Sequence, residues 1–348
     1  MKVFGGKYRK LNFKCCYLCP VEHLFSKPLF LDHTEKNFNS LAIDVFRFQV
    51  QHNPVYGSFV KGLRKDPESV TNFREIPFMP VEFFKNHRVV SGERPPEIVF
   101  SSSGTTGMIQ SRHEVLDVSV YEESFRMAFE RFYGPTEDLV ILALLPSYLE
   151  RDGSSLIYMV EDLIQRTGNA DSGYFLYNHE ELFHTLNRLR EAGKKVILIG
   201  VTYALLDFVE RFSINFPELI VMETGGMKGK RKEMIREELH QQLCVGFGVS
   251  AIHSEYGMTE LLSQAYSSGK GIFRCPPWMR ISIRDINDPL SLLPTGVTGG
   301  INVIDLANVY SCSFLATQDL GKTHDDGSFE IIGRFDNSDI RGCNLLVQ

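Results

Sequence analysis

The sequence predicts an α/β fold in which a largely parallel sheet, covered on both faces by helices, is followed by a β-rich C-terminal subdomain. Three observations carry this prediction. Short apolar runs, LVILALL (139–145), VILIG (196–200) and LIVM (219–222), have the length of strands buried on both faces. Segments with helical spacing of apolar residues separate them, the pattern of a chain that alternates strand and helix. After about residue 270 the texture changes to RISIRDI, GGINVIDL, CSFLATQDLG and GSFEIIGRFD, short strands joined by Gly, Asp and Pro turns.

Taken in order, residues 34–62 read as helical with a break at Asn53-Pro54. IPFMPVEFF (76–84) is kept extended by Pro77 and Pro80, and is expected to pack on a surface rather than join a central ladder. EIVF (97–100) reads as a strand. Residues 117–134 read as a helix capped by Asp117 or Ser119, with Tyr121, Phe125, Phe129 and Phe132 on one face. DLVILALLP (138–146) is a buried strand, and 154–168 a helix with a serine cap and a closing glycine. Residues 179–193 repeat that helix design, and strand 195–200, helix 202–213 and strand 219–222 complete the alternation. This divides the chain into a mostly helical segment (1–75), an α/β core (76–270) and a β-rich part (271–348).

Composition narrows the classes. With 43% hydrophobic residues, 348 residues can bury a sizeable core. A net charge of −6 gives no global attraction to nucleic acid or to an anionic membrane. No apolar run is long enough to span a bilayer. Seven cysteines, an odd number, argue against a fully disulfide-paired secreted chain. The apolar stretch after the basic N-terminus is too short for a signal core. A reduced, soluble, cytoplasmic protein is the expectation. Cys16 and Cys19 form a C-x-x-C near His23, but structural zinc takes four ligands and no second pair follows, so ordinary thiols are the preferred reading.

Four motifs carry chemistry. In VFSSSGTTGMIQS (99–111) small residues would let backbone N–H groups approach an anion, and hydroxyls add donors; a polar surface turn is the alternative. In EYGMTELLSQAY (255–266), at an expected helix start, Glu260 could ligate Mg²⁺, Thr259 could bond a phosphate oxygen and Tyr256 could stack on a base. METGGMKGKRKEM (222–234) ends a strand in two glycines before a basic run. Asp319, ending a strand, could accept from both ribose hydroxyls, and Arg334 could contact ribose or phosphate.

In this order, SSGTTG, GG, YGMTE and QDLG with GRFD resemble the adenylate-forming acyl-ligase superfamily over roughly residues 75–342. The resemblance implies the large N-terminal domain of those enzymes and use of ATP and Mg²⁺. It implies that Ser102, Ser103, Gly104, Thr105, Thr106 and Gly107 handle the nucleotide phosphates, with Gly225 and Gly226 nearby. Tyr256, Gly257, Met258, Thr259 and Glu260 would form the adenine and metal loop, and Asp319 and Arg334 would hold the ribose side. Four further stretches, IPFMPVEFFK (76–85), LLPSYLERDGSSLIYMV (144–160), TGGMKGKRKEM (224–234) and SDIRGCNL (338–345), look like the acyl-protein synthetase family of bacterial luciferase systems, LuxE-type. That likeness implies activation of a fatty acid as acyl-AMP, transfer to Cys343, and an acyl reductase or other acceptor protein as partner. Thr105 and Glu260 would act in the first step and Cys343 in the second.

Departures matter as well. Ile109-Gln110 replaces the usual Pro-Lys, and Gln318 the usual glycine before the ribose aspartate. The mobile C-terminal domain that normally brings a catalytic lysine is expected to be absent. Cys343 could also be a small residue packing a final strand. A ligase passing acyl-AMP to coenzyme A or a carrier protein, and a non-catalytic binder of nucleotide or acyl-AMP, are the rival readings.

Overall fold

The structure, a computed structural model, describes residues 29–102, 109–146, 153–225 and 234–334. Helices α1 (Glu35–His52) and α2 (Pro54–Gly62) open it, followed by β1 (Met79–Pro80) and α3 (Phe83–Asn86). Next come β2 (Ile98–Ser101), β3 (Arg112–Val115), α4 (Val118–Tyr133), β4 (Val140–Leu144), α5 (Ser155–Thr167) and β5 (Gly173–Tyr174). The chain continues through α6 (His179–Glu191), β6 (Val196–Val201), α7 (Thr202–Val209), β7 (Ile220–Thr224), α8 (Arg236–Phe247) and β8 (His253–Tyr256). Strands β9 (Ala265–Ser267), β10 (Ile272–Arg274), β11 (Met279–Arg284), β12 (Gly299–Asp305), β13 (Phe314–Thr323) and β14 (Phe329–Arg334) follow.

One mixed sheet runs β11-β12-β13-β14-β10-β9-β8-β7-β6-β4-β5, with β1 beside β13. Its β5-β4-β6-β7-β8 half is parallel. Every residue of β4 and β6 is buried, which is why these strands read as unbroken apolar runs. Burying a Val, Leu or Ile side chain contributes roughly 2 kcal/mol, so these two strands anchor the core. The chain leaves β4 toward β5 and then returns across the sheet through β6, β7 and β8. Right-handed crossovers therefore set α5 on one face and α6, α7 and α8 on the other. Side-chain contacts agree: Tyr121 of α4 lies against Tyr158 of α5, while Phe208 of α7 stacks on Phe247 of α8 and beside Phe212. No helix of the described residues is long and apolar enough to cross a membrane.

The capping expectations hold where the side chains can reach. Asp117 caps α4, Ser154 caps α5, and Gly168 closes α5. Asn53 accepts from Val55 and Tyr56 N–H and so starts α2 directly after α1 ends. Helix α6 departs from the α5 design: Asn178 precedes it and makes no side-chain cap bond to its backbone. Helix α7 stops at Val209, short of the expected 213.

Three expectations are corrected. The proline-containing segment does join the ladder, since Met79 and Pro80 pair in parallel with Leu315 and Ala316. A two-residue strand tolerates a proline because the next N–H, of Val81, still bonds the Ala316 carbonyl at 3.0 Å. Strand β2 does not enter the parallel sheet; it forms a separate antiparallel hairpin with β3. No helix starts at Tyr256. The chain turns through 257–264 and returns antiparallel as β9, because buried Asp305 takes the Leu262 and Ser263 N–H groups that a helix would have used.

The first helices are tied to a distant part of the chain. Gln49 Nε2 donates to the Asn308 and Val309 carbonyls at 3.0 and 2.9 Å, and Asn53 Nδ2 to the Ser311 carbonyl at 3.0 Å.

Candidate functional site

The carboxyl ends of the parallel strands β6, β7 and β8 share one edge of the sheet, where open α/β folds bind ligands. At that edge the sequence motifs converge. Strand β8 ends in Tyr256, whose hydroxyl donates to Asp319 Oδ2 on β13 at 2.8 Å. Burial pushes the Asp319 carboxyl up from its ordinary value, while the Tyr256 hydroxyl and the charges of Arg334 and Arg284 oppose that shift. Arg334 stands opposite Asp319 in the β13–β14 register. It donates from Nη2 to Gln318 Oε1 at 3.0 Å, and Gln318 Nε2 donates to Glu82 Oε1 at 2.5 Å.

The loop 257–264 is held from beneath. Asp305 Oδ2 accepts from Leu262 and Ser263 N–H at 2.7 and 3.0 Å, and its other oxygen from the Ser263 hydroxyl. Burial raises Asp305 to about 6 despite these donors. Asn308 Nδ2 donates to the Glu260 carbonyl at 2.7 Å, and Trp278 Nε1 to Ser263 at 3.0 Å.

The β2–β3 hairpin meets the same loop. Ser102 and Ser111 close it: Ser111 N–H donates to the Ser102 hydroxyl at 2.9 Å and Ser102 N–H to the Ser111 carbonyl at 3.1 Å. Strand alternation sends Ser111, His113 and Val115 inward and leaves Arg112 exposed. Ser111 hydrogen-bonds the Glu260 carboxylate, and His113 Nδ1 lies 2.8 Å from the Thr259 carbonyl. Glu260 is buried, which raises its carboxyl; Ser111, its own N–H, Arg334 and Lys85 work the other way. Burial lowers His113 to about 4, so the ring is neutral.

Gly225 directly follows β7 with φ 65°, a conformation that side-chain-bearing residues rarely adopt, and its carbonyl accepts from the Thr202 hydroxyl at 2.7 Å. Beside it the Thr224 hydroxyl donates to Glu255 Oε2 at 2.6 Å. Glu255 keeps a partly open edge, yet burial still lifts it to about 7. Its other oxygen packs over Gly257, where a Cβ would stand only 2.3 Å away. On the opposite side of the strands, Glu223 bonds His240 at 2.9 Å and Ser254 at 3.0 Å. Burial pushes Glu223 up, but His240, Arg236 and Ser254 outweigh it and hold the carboxyl below its usual value.

The structure therefore brings Tyr256, Asp319, Arg334, Glu260 and Ser102 to one region, with Gly225 and Gly257 at its strand ends. Met258 packs against the core, and Thr259 offers its carbonyl to His113. Ser103, Gly104, Thr105, Thr106, Gly107, Gly226 and Cys343 lie outside the described residues. So do the basic residues Lys228, Lys230, Arg231 and Arg341, and Cys15, Cys16, Cys19 and His23. Of the described thiols, burial pushes Cys275 and Cys312 up to about 12, which makes them inert. An open groove of about 810 Å³ between Tyr177, His184, Arg188 and Phe212 holds none of the motif residues.

With this geometry in hand, comparison with known families is decisive: the family described as acyl-protein synthetase, LuxE, matches residues 23–348. The chain belongs to the LuxE acyl-protein synthetase family. No curated protein matches it. Among solved structures, this LuxE-family chain is similar to ATP-bound MatB from Rhodopseudomonas palustris, at 18% identity and TM-score 0.51, over 68% of this chain and 47% of that one. A MatB–BclM chimera bound to ATP is similar at 19% identity and TM-score 0.51, over 68% and 47% of the two chains. An open conformation of 2-hydroxyisobutyryl-CoA ligase, in complex with 2-HIB-AMP and CoA, is similar at 13% identity and TM-score 0.65, over 94% and 82%. At these identities the likeness is one of fold, that of adenylate-forming ligases. The chain spans about half the length of the MatB structures it matches.

Several residues of this candidate site were not singled out in the sequence motifs. Ser111 and His113 carry a readable signal, two polar residues at strand spacing directly after a glycine-rich turn. Glu255 stands beside the tyrosine that was singled out. Glu82, Asp305 and Asn308 carry none, because only the fold brings them to the site.

Proposed function

We propose that this LuxE-family chain uses ATP to activate a fatty or other carboxylic acid as acyl-AMP, then passes the acyl group through a thioester. In the first step a carboxylate oxygen bonds the α-phosphorus as the bond to the β-phosphate breaks and pyrophosphate leaves. In the second step the Cys343 sulfur bonds the acyl carbon, AMP departs, and the thiol proton is lost to solvent. An acyl reductase or another acceptor protein in the cytoplasm would take the acyl group onward.

One contact carries most weight: the Tyr256 hydroxyl on Asp319 at 2.8 Å joins two motifs 63 residues apart. It sets an aromatic face and a ribose-accepting carboxylate side by side. Arg334, across from Asp319, would supply positive charge to the ribose or phosphate oxygens.

Glu260 would hold Mg²⁺. Among the described residues no group of three His, Cys, Asp or Glu side chains could hold an ion. Magnesium is commonly held by one or two carboxylates plus substrate phosphates and water, so a single carboxylate joined to Ser111 suits it. The ion would supply charge that offsets the repulsion between carboxylate and triphosphate.

The test is acid-dependent ATP–pyrophosphate exchange over a series of chain lengths, with labelling of the protein by radioactive fatty acid and ATP. Exchange plus hydroxylamine-labile label that vanishes in Cys343→Ser is expected. Equal labelling of Cys343→Ser would remove the cysteine from the reading. Thioester appearing only on added coenzyme A or carrier protein would move the acceptor there. No exchange with any carboxylate would leave a nucleotide-binding protein.

A further inference from the structure

Gln318 stands where the superfamily resembled by this chain carries glycine, and its amide is used at both ends. Its Nε2 donates to Glu82 Oε1 at 2.5 Å, and its Oε1 accepts from Arg334 Nη2 at 3.0 Å. The amide's orientation follows from its partners. A carboxylate only accepts and a guanidinium only donates, so the nitrogen must face Glu82 and the oxygen Arg334. A glutamine can join an acceptor to a donor in this way without adding charge.

Glu82 is brought there by the short strand β1. Val81 N–H bonds the Ala316 carbonyl at 3.0 Å, which sets the next residue, Glu82, across from Gln318 on β13. Arg334 has two stronger partners within electrostatic reach, Asp319 and Glu260. Its hydrogen bond nevertheless goes to the neutral Gln318 oxygen. Asp319 is thereby left to Tyr256, and Glu260 to Ser111.

We propose that Gln318, braced by Glu82, is a positioning residue that holds the Arg334 guanidinium off both carboxylates and ready for the oxygens of a bound nucleotide. This rests on the ATP-binding reading above. Without the brace, Arg334 swings onto Asp319, its cross-strand neighbour, and neutralises the group that would accept the ribose hydroxyls.

The experiment measures ATP affinity of the full chain by calorimetry, together with the KM values for ATP and for a fatty acid. Replacing Gln318→Gly weakens ATP binding about tenfold, the size expected for losing one charge-assisted hydrogen bond and its geometry, with the acid KM and Tm little changed. Gln318→Glu sets two carboxylates against each other and loses at least as much. Adding Glu82→Gln to Gln318→Glu restores a donor facing an acceptor, and returns ATP affinity to within about threefold of wild type. In an Arg334→Ala background Gln318→Gly has no further effect, which separates positioning from mere structural support. ATP affinity unchanged in Gln318→Gly, or an equal loss with and without Arg334, overturns the proposal and leaves the ATP reading standing. A wild-type chain that binds no ATP overturns both.

Discussion

His113 Nδ1 lies 2.8 Å from the Thr259 carbonyl oxygen, and this contact joins the β2–β3 hairpin to the loop that carries Glu260. A carbonyl only accepts, so Nδ1 must carry the hydrogen. The ring is fully buried, and burial lowers it to about 4 from an ordinary 6.5. Between those values the unfolded chain binds a proton that the folded chain refuses. The native state is therefore weakened as pH falls from about 6.5 to about 4, by up to roughly 3 kcal/mol. In His113→Gln, which keeps a donor, that part of the pH dependence disappears. Melting curves at pH 4.5 and pH 7 for both proteins check it; parallel curves would show that His113 is charged when folded.

Tyr256 and Asp319 can be separated by two substitutions. Tyr256→Phe keeps the aromatic face and removes the hydroxyl that lowers the Asp319 carboxyl, so Asp319 moves further up. ATP binding then changes little at pH 8 and falls off at a higher pH than in wild type as the solution is acidified. Tyr256→Ala removes the stacking surface as well as the hydroxyl, so ATP binds about tenfold more weakly already at pH 8, the scale of base–aromatic stacking, and falls off further at the same shifted pH. ATP titrations from pH 5 to pH 8 distinguish the two. Identical behaviour of Phe and Ala would mean that stacking is not what the ring provides.

The parallel half of the fold was legible because β4 and β6 are buried along their whole length, leaving no face for polar residues. Caps at Asp117 and Ser154 were legible because they depend on neighbours two or three residues away. The helix expected at Tyr256 failed for the opposite reason. Its deciding group is Asp305, some 40 residues downstream, which takes the N–H groups of Leu262 and Ser263. The motif residues Tyr256, Asp319 and Arg334 could be read from their types and order. What orients them could not: Glu82 reaches Gln318 across 236 positions, and His113 reaches Thr259 across 146.

Glu260 is buried in the folded chain, which raises its carboxyl and makes its ionised form costly. If Glu260 holds magnesium as proposed, it serves activity at a cost to stability. Glu260→Gln should cut magnesium-dependent ATP–pyrophosphate exchange at least about a hundredfold. The Tm should hold or rise, because a neutral amide can still accept from Ser111. A fall in Tm with exchange preserved would assign Glu260 to the scaffold instead.

Glu255 gives the opposite pH signature to His113 in the same range. Burial raises it to about 7 against the Thr224 hydrogen bond, from an ordinary 4.5. Between those values the folded chain binds a proton that the unfolded chain has lost, so stability is full below about 4.5 and declines as pH rises through 7. Above pH 7 the ionised carboxylate sits among the buried hydroxyls of Tyr121 and Tyr266, whose own ionisation it opposes. Glu255→Gln keeps an acceptor for Thr224 and fits over Gly257 without the charge. It should raise Tm by a few degrees at pH 8 and leave it unchanged at pH 5. Some slope should persist, because Asp305, raised to about 6, titrates with the same sign. An equal gain at both pH values would mean that Glu255 is ionised throughout and that Thr224 is its sole restraint.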